Sequence, residues 1–151
     1  RLRRWDHTDS RTAWIARHAL RTLVKQGHPG ALGLLGAGKR AELKVTRFRA
    51  TPARLRLGDT LALEARVVST ARGPQRLVLD YAIHYVKAAG RTHRKVFKWK
   101  EAALPAAAPL ALVKRQVIRD FSTRRHHPGR HAVELQANGR VVARTAFTLR
   151  R

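Results

Sequence analysis

The chain has 151 residues, with 33 Lys and Arg against 9 Asp and Glu, a formal charge of +24 and an isoelectric point near 12.0. That length fits one domain, or one domain with an appendage, and suffices to bury a core. The absence of cysteine excludes a disulfide framework and any thiolate metal site and fits a reducing cytoplasm. No apolar run approaches membrane-spanning length, and nothing resembles a signal peptide. Positive charge at this density repels itself, and nucleic acid is its commonest partner. The basic residues are spread along the chain, which argues against a disordered basic arm. Arg supplies 25 of the 33, a bias that GC-rich coding also produces, so charge alone does not decide the function. The chain has no Met and begins at Arg1, and is read as a piece of a longer sequence.

The first region, residues 1–40, reads as helical. Asp9 or Ser10 can cap a first helix, Lys25 suits its C-terminal dipole, and Gly27 suits a left-handed stop. At about 100° per residue, Ala13, Ile15, Ala16, Ala19, Leu20, Leu23 and Val24 fall on one half of that helix. Trp14, His18, Arg21 and Lys25 form a seam on the other half, with Arg17 at its edge. A solvated face normally mixes charge signs; this seam contains no acid, which suits it to lie along a polyanion. Pro29 then starts a short helix running to about Gly36.

From residue 41 the apolar period changes from 3.6 to 2. Leu43 and Val45 open a strand, and Leu61, Leu63, Ala65 and Val67 alternate after the turn Gly58-Asp59. Leu77, Leu79, Tyr81, Ile83 and Tyr85 form a longer alternating run, and shorter strands follow at Val96–Lys100 and Ala111–Arg119. Val133–Ala137 and Val141–Leu149 flank Asn138-Gly139, the strongest short-range hairpin signal. About seven strands at this spacing predict an immunoglobulin-like antiparallel β-sandwich over 41–151, preceded by a helical hairpin over 1–40. Without cysteines, that likeness to immunoglobulin domains is architectural. Arg150 and Arg151 read as a frayed basic end.

Candidate chemistry is sparse. Gly33-Leu34-Leu35-Gly36-Ala37-Gly38-Lys39 matches seven positions of a phosphate-binding loop, but Arg40 replaces the Ser or Thr that holds magnesium. No strand precedes it and no helix follows, so it reads as a glycine-rich hinge. His126, His127 and His131 lack metal-site spacing and read as structural turn residues. Asp80 and His84 share a strand face but sit roughly 13 Å apart, too far for an acid–base pair. Asp80 reads as a strand carboxylate beside a basic neighbour. No catalytic constellation, metal site or cofactor site is expected. Lys98 and Lys100 read as one strand face, with Phe97 and Trp99 on the other, and the lysines as phosphate contacts. Thr123-Arg124-Arg125-His126-His127 reads as a second basic loop able to clamp phosphate.

Residues 14–36, including Trp14-Ile15, Arg17-His18-Ala19-Leu20-Arg21-Thr22-Leu23, Gly27-His28-Pro29 and Leu34-Leu35-Gly36, resemble the last helical repeat of bacterial AlkC-type DNA alkylation-repair glycosylases. The runs Leu79–Lys87, Lys95–Lys98, Thr123-Arg124, Pro128–His131 and Gln136–Gly139 resemble that family's C-terminal extension. Ser122 departs from the resemblance, where a second threonine is expected.

The resemblance implies a terminal HEAT-like repeat over 1–40 and an immunoglobulin-like domain over 41–151, the end of an array that holds duplex DNA. The upstream repeats, which carry the family's catalytic acids and excise cationic methylated bases, are not in this sequence. This chain alone is therefore expected to be inactive. The expected partners are the phosphate backbone of double-stranded DNA and the missing repeats, with self-association of the isolated chain as another outcome; no membrane partner or cofactor is expected. The expected location is the cytoplasm, on the nucleoid. The DNA contacts so expected are Trp14, Arg17, His18, Arg21, Lys25, Lys98, Lys100, Arg124 and Arg125. The alternatives are an RNA- or ribosome-associated basic module and a protein-interaction sandwich without a nucleic-acid role.

Overall fold

The computed structural model describes residues 18, 20–34, 37–120 and 125–151. A first helix, α1, has residues 20–25 as its described continuous part, and α2 spans Pro29–Leu34. Eight strands follow: β1 (Leu43–Thr51), β2 (Arg54–Arg56), β3 (Thr60–Ser69), β4 (Gln75–Val86), β5 (Thr92–Leu104), β6 (Pro109–Val117), β7 (Gly129–Ala137) and β8 (Arg140–Arg150). The expected capping residues Asp9 and Ser10 lie outside the described residues.

The strands form two sheets, ordered β1-β3-β6 and β2-β8-β7-β4-β5. All pairings are antiparallel except that of β2 with β8. Alternation built the sandwich as expected. The core-facing residues of β4 (Leu77, Leu79, Tyr81, Ile83 and Tyr85) meet Leu61, Leu63, Ala65 and Val67 of β3 in two adjoining clusters. Where immunoglobulin domains use a disulfide, this sandwich has a polar clasp. The Tyr81 hydroxyl on β4 donates to Gln116 Oε1 on β6 at 3.0 Å, and Gln116 Nε2 donates to the Tyr85 hydroxyl at 3.3 Å. Burial, then the neighbouring Tyr85, pushes the Tyr81 pKa up to about 12, so the phenol stays a donor.

The short β2 adds a strand to the seven expected, and β5 runs well beyond the expected Val96–Lys100. The Asn138-Gly139 turn forms as read, with φ of 47° and 81°, both left-handed as a type I′ turn requires. Gly27, at φ 73°, ends α1: its N–H donates to Val24 O, and that of His28 donates to Leu23 O, the two bonds of a Schellman stop. The His28 ring then accepts from Ala31 N at 3.2 Å and caps α2.

The helical segment docks on the outer face of the five-stranded sheet. Leu20 and Val24 of α1, Ala31 and Leu32 of α2, and Ala37 pack on Val78 of β4. Gln136 Nε2 donates to Lys25 O at 3.3 Å, and Asn138 Nδ2 donates to Lys39 O at 2.9 Å. At the centre two glycines touch. A Cβ on Gly27 would lie 2.7 Å from Gly139 O, and one on Gly139 would lie 2.6 Å from Gly27 Cα. Neither position can carry a side chain, so the two backbones set the docking distance.

Candidate nucleic-acid interface

The sequence-derived site divides between two ends of the five-stranded sheet. His18 and Arg21 are exposed on α1, while Lys25 is half-buried. Burial and then the like charge of Arg21 push the Lys25 pKa down, with Asp80 opposing them. Lys98 is exposed on β5, opposite Asp80 in the sheet register. Lys25 and Lys98 both bear electrostatically on Asp80, so the structure brings these two expected contacts to one carboxyl. Trp14, Arg17 and Arg124 lie outside the described residues.

Asp80 carries more than the sequence suggested. It is 1% exposed, and its Oδ2 has no hydrogen-bond partner among the described residues. Burial pushes its pKa up to about 6, against the pull of Lys25 and Lys98 and with a push from Glu101. Desolvation of the charged form outweighs both ammonium groups. Lys98 gives its ion pair to Glu101, at 3.2 Å.

The reading of Lys98 and Lys100 on a common face is corrected. Lys98 opposes outward-facing Asp80, whereas Lys100 opposes core-facing Leu79, because the register breaks between them. The extra residue is Trp99, and a bulge of this kind shifts the alternation by one position. Phe97 and Trp99 do pack inward, against Tyr81 at 4.9 and 5.4 Å between ring centroids.

Farther along β4 the outer face carries a charge network. Glu134 accepts from His84 at 2.9 Å and from Arg94 at 3.0 Å, and Arg144 lies 3.5 Å away. Burial pushes the Glu134 carboxyl up, yet the hydrogen bonds from His84 and Arg94 outweigh it and hold its pKa below the ordinary range. Arg94 also donates to Gln136 Oε1 at 2.7 Å. Arg94 and Arg144 were missed in the sequence reading. For Arg94, its place four residues before Lys98 on an alternating strand was the available signal.

The basic loop is anchored at the opposite end. Asp120 Oδ1 accepts the backbone N–H of His126 at 2.7 Å, and Arg151 lies 2.8 Å from Asp120 Oδ2. Arg151 Nη1 also donates to His126 O at 2.6 Å, so the expected frayed end is a fastening. The His126 N–H bond foremost, with Arg151, holds the Asp120 carboxyl below the ordinary range against a smaller opposing effect of burial. The His126 ring is buried against Tyr85. His131, also buried, stacks on Phe147, donates from Nε2 to His127 O at 3.0 Å and accepts from Val86 N at 3.4 Å. Burial pushes its pKa down. His126 lies in the loop, whereas His131, read as a turn residue, lies within β7 in the core; Arg125 is exposed.

From Val78, under the helices, to Tyr85, beside the loop anchor, β4 advances seven residues, about 23 Å at ~3.3 Å each. Arg94 and Arg144, both paired with Glu134, lie between these two ends of β4. Among the described residues no three His, Asp or Glu side chains converge as metal ligands, and no helix is long and apolar enough to cross a membrane.

An immunoglobulin-like sandwich with a helical segment locked onto its outer face defines the class. The chain belongs to the family described as "Uncharacterised protein YhaZ, C-terminal Ig-like domain", whose model matches residues 44–151. It is similar to the protein YhaZ of Bacillus subtilis (strain 168), 33% identical over 137 residues, covering 91% of this chain and 38% of that protein. It is also similar to the Pseudomonas fluorescens alkylpurine DNA glycosylase AlkC, solved bound to DNA containing an abasic site analog. That match has TM-score 0.97 and 47% identity, covering 99% of this chain and 42% of the other. The AlkC resemblance read from the sequence therefore holds. The chain spans about two fifths of the length of these two relatives. A Listeria innocua β-glucosidase solved with isofagomine matches at TM-score 0.59 and 16% identity, covering 72% of this chain and 16% of that one, and shares the fold alone.

Proposed function

We propose that this chain is the DNA-gripping C-terminal portion of a DNA alkylation-repair glycosylase. In this reading residues 1–40 are a terminal HEAT-like repeat and 41–151 the immunoglobulin-like domain. The observation that carries it is the likeness to AlkC over nearly the whole chain, at 47% identity and TM-score 0.97, because AlkC was solved on DNA. Arg17, Arg21 and Lys25 hold phosphates from one station and Arg124 and Arg125 from the other, with Lys98 and Lys100 on β5 adding charge. Trp14 and His18 flank the first station. Phosphate contacts position the protein without reading sequence; repeats preceding this segment would bring the acids that release a methylated base. The working location is the nucleoid.

Fluorescence anisotropy of a random duplex across a salt series tests the reading. Neutralising about six phosphates makes log affinity fall with log salt at a slope of roughly −5, nearly independent of sequence. A flat salt response, or no binding at low salt, overturns it.

A further inference from the structure

A second basic feature lies at the joint between helices and sandwich. A cleft of about 920 Å³ opens between the linker after α2, the β3–β4 turn and the β7–β8 turn. Lys39 and Arg40 line it from the linker, Arg72 from the β3–β4 turn and Arg76 from β4. Among the described residues Glu42 is its one lining carboxylate. Arg76 Nε is buried without a hydrogen-bond partner among the described residues, and Arg76 Nη2 stands 3.8 Å from Glu101. A donor in that state is costly to leave unpaired.

The walls are held before any ligand arrives. Asn138 is buried; its Nδ2 donates to Lys39 O at 2.9 Å and to Arg76 O at 3.2 Å, while its Oδ1 accepts Val78 N at 2.8 Å. A single amide thus fixes two cation-bearing segments relative to each other. Across the cleft, Gln75 Oε1 accepts Glu42 N at 3.0 Å, and Gln75 Nε2 donates to Glu42 O and to Ser69 Oγ, each at 2.7 Å. Linker and turn are therefore stapled.

We propose that this cleft binds the phosphate of a nucleotide. Three Arg and one Lys lining one concavity suit a phosphate, which takes paired N–H donors from Arg. The volume falls in the range of small-ligand sites and accommodates a nucleotide unit. Among the described residues no aromatic side chain lines the cleft, so a base finds no stacking surface among them, and recognition falls on the phosphate. This is not phosphate-loop chemistry, since Gly33 lies in α2 and Lys39 leads into a strand. Nor does the site depend on duplex gripping by α1, which uses other residues.

Titration calorimetry at low salt on the full 151-residue chain tests it, with inorganic phosphate, thymidine 5′-monophosphate and a thymidine tetranucleotide as probes. Thymidine 5′-monophosphate binds, and Arg40→Gln with Arg72→Gln weakens it by about tenfold or more. Arg49→Gln with Arg115→Gln, the same loss of charge on exposed positions elsewhere, changes it by less than about twofold. Amide resonances of Gly38 and Gly73 shift on titration. A tetranucleotide no tighter than the monophosphate identifies a free nucleotide as the source; a tighter one identifies a strand backbone. No binding by any probe, or equal weakening by the two variants, overturns the proposal. Duplex binding by the Arg40 and Arg72 variant, measured separately, keeps its failure distinct from that of the gripping function.

Discussion

At the scale of single residues, two positions have consequences larger than their side chains. Gly139 sits at φ 81° with Gly27 Cα where a Cβ would go. Gly139→Ala therefore combines a disfavoured backbone conformation with a main-chain clash. It should cost about 2–4 kcal/mol, read as a lower urea midpoint at unchanged slope. Asp80 works in the opposite direction. Its folded pKa of about 6 lies above the ordinary carboxylate value of 3.8, so the folded state holds the proton more tightly than the unfolded one. Stability then falls as pH rises from about 4 to about 6, and the penalty persists at neutral pH. Its size is on the order of 2–3 kcal/mol, softened by Lys25 and Lys98. Asp80→Asn should accordingly stabilise the chain at pH 7 and make little difference near pH 4. Denaturation midpoints of both proteins across that range check it, and a mutant less stable at pH 7 refutes it.

Among the elements, those with strong local chemistry could be read from the sequence and those made by distant pairing could not. Asn138-Gly139, Gly27 and the alternation of Leu77 to Tyr85 each dictate a backbone conformation or a face locally, and each formed as read. β2 is three residues whose strand character comes from lying parallel to β8, almost a hundred positions later in the chain; no local pattern encodes that. β5 was read too short because it is an edge strand with exposed polar residues at its start and small alanines near its end. The bulge at Trp99 was hidden because Lys-Val-Phe-Lys-Trp-Lys alternates cleanly on paper. In the site, the positions of the exposed basic residues were visible, but the links of Lys25 and Lys98 to Asp80, and of Arg151 to Asp120, are tertiary. The clasp between β4 and β6 offers an element-level prediction. Gln116→Leu leaves the Tyr81 and Tyr85 hydroxyls without that partner and should destabilise the sandwich by about 1–3 kcal/mol. The matched Tyr81→Phe with Gln116→Leu pair should recover part of the loss in a double-mutant cycle.

For the molecule as a whole, the question is whether particular cations or the total of +24 govern the proposed association with DNA. Arg17→Ala with Arg21→Ala removes two charges from the basic seam read in the sequence, and Ala is the better helix former, so the fold should persist. Arg49→Ala with Arg115→Ala removes two exposed charges from the three-stranded sheet. The seam variant should weaken duplex binding by about tenfold more than the control, and should lower the salt slope by about 2. Equal losses would mean that overall charge alone matters. Leu23 is 38% exposed on α1, an apolar contact available to a neighbouring helical repeat, so light scattering should accompany both measurements to detect self-association.

The meeting of Gly27 with Gly139 also has a mechanical meaning. Side chains between packed elements yield to load by switching rotamers, but two main chains in contact have no such slack. A displacement of the helical segment is therefore passed directly to the β7–β8 hairpin. From there it travels along the central strands towards the clamp formed by Asp120 and Arg151. The joint is thus a rigid backbone contact rather than a hinge.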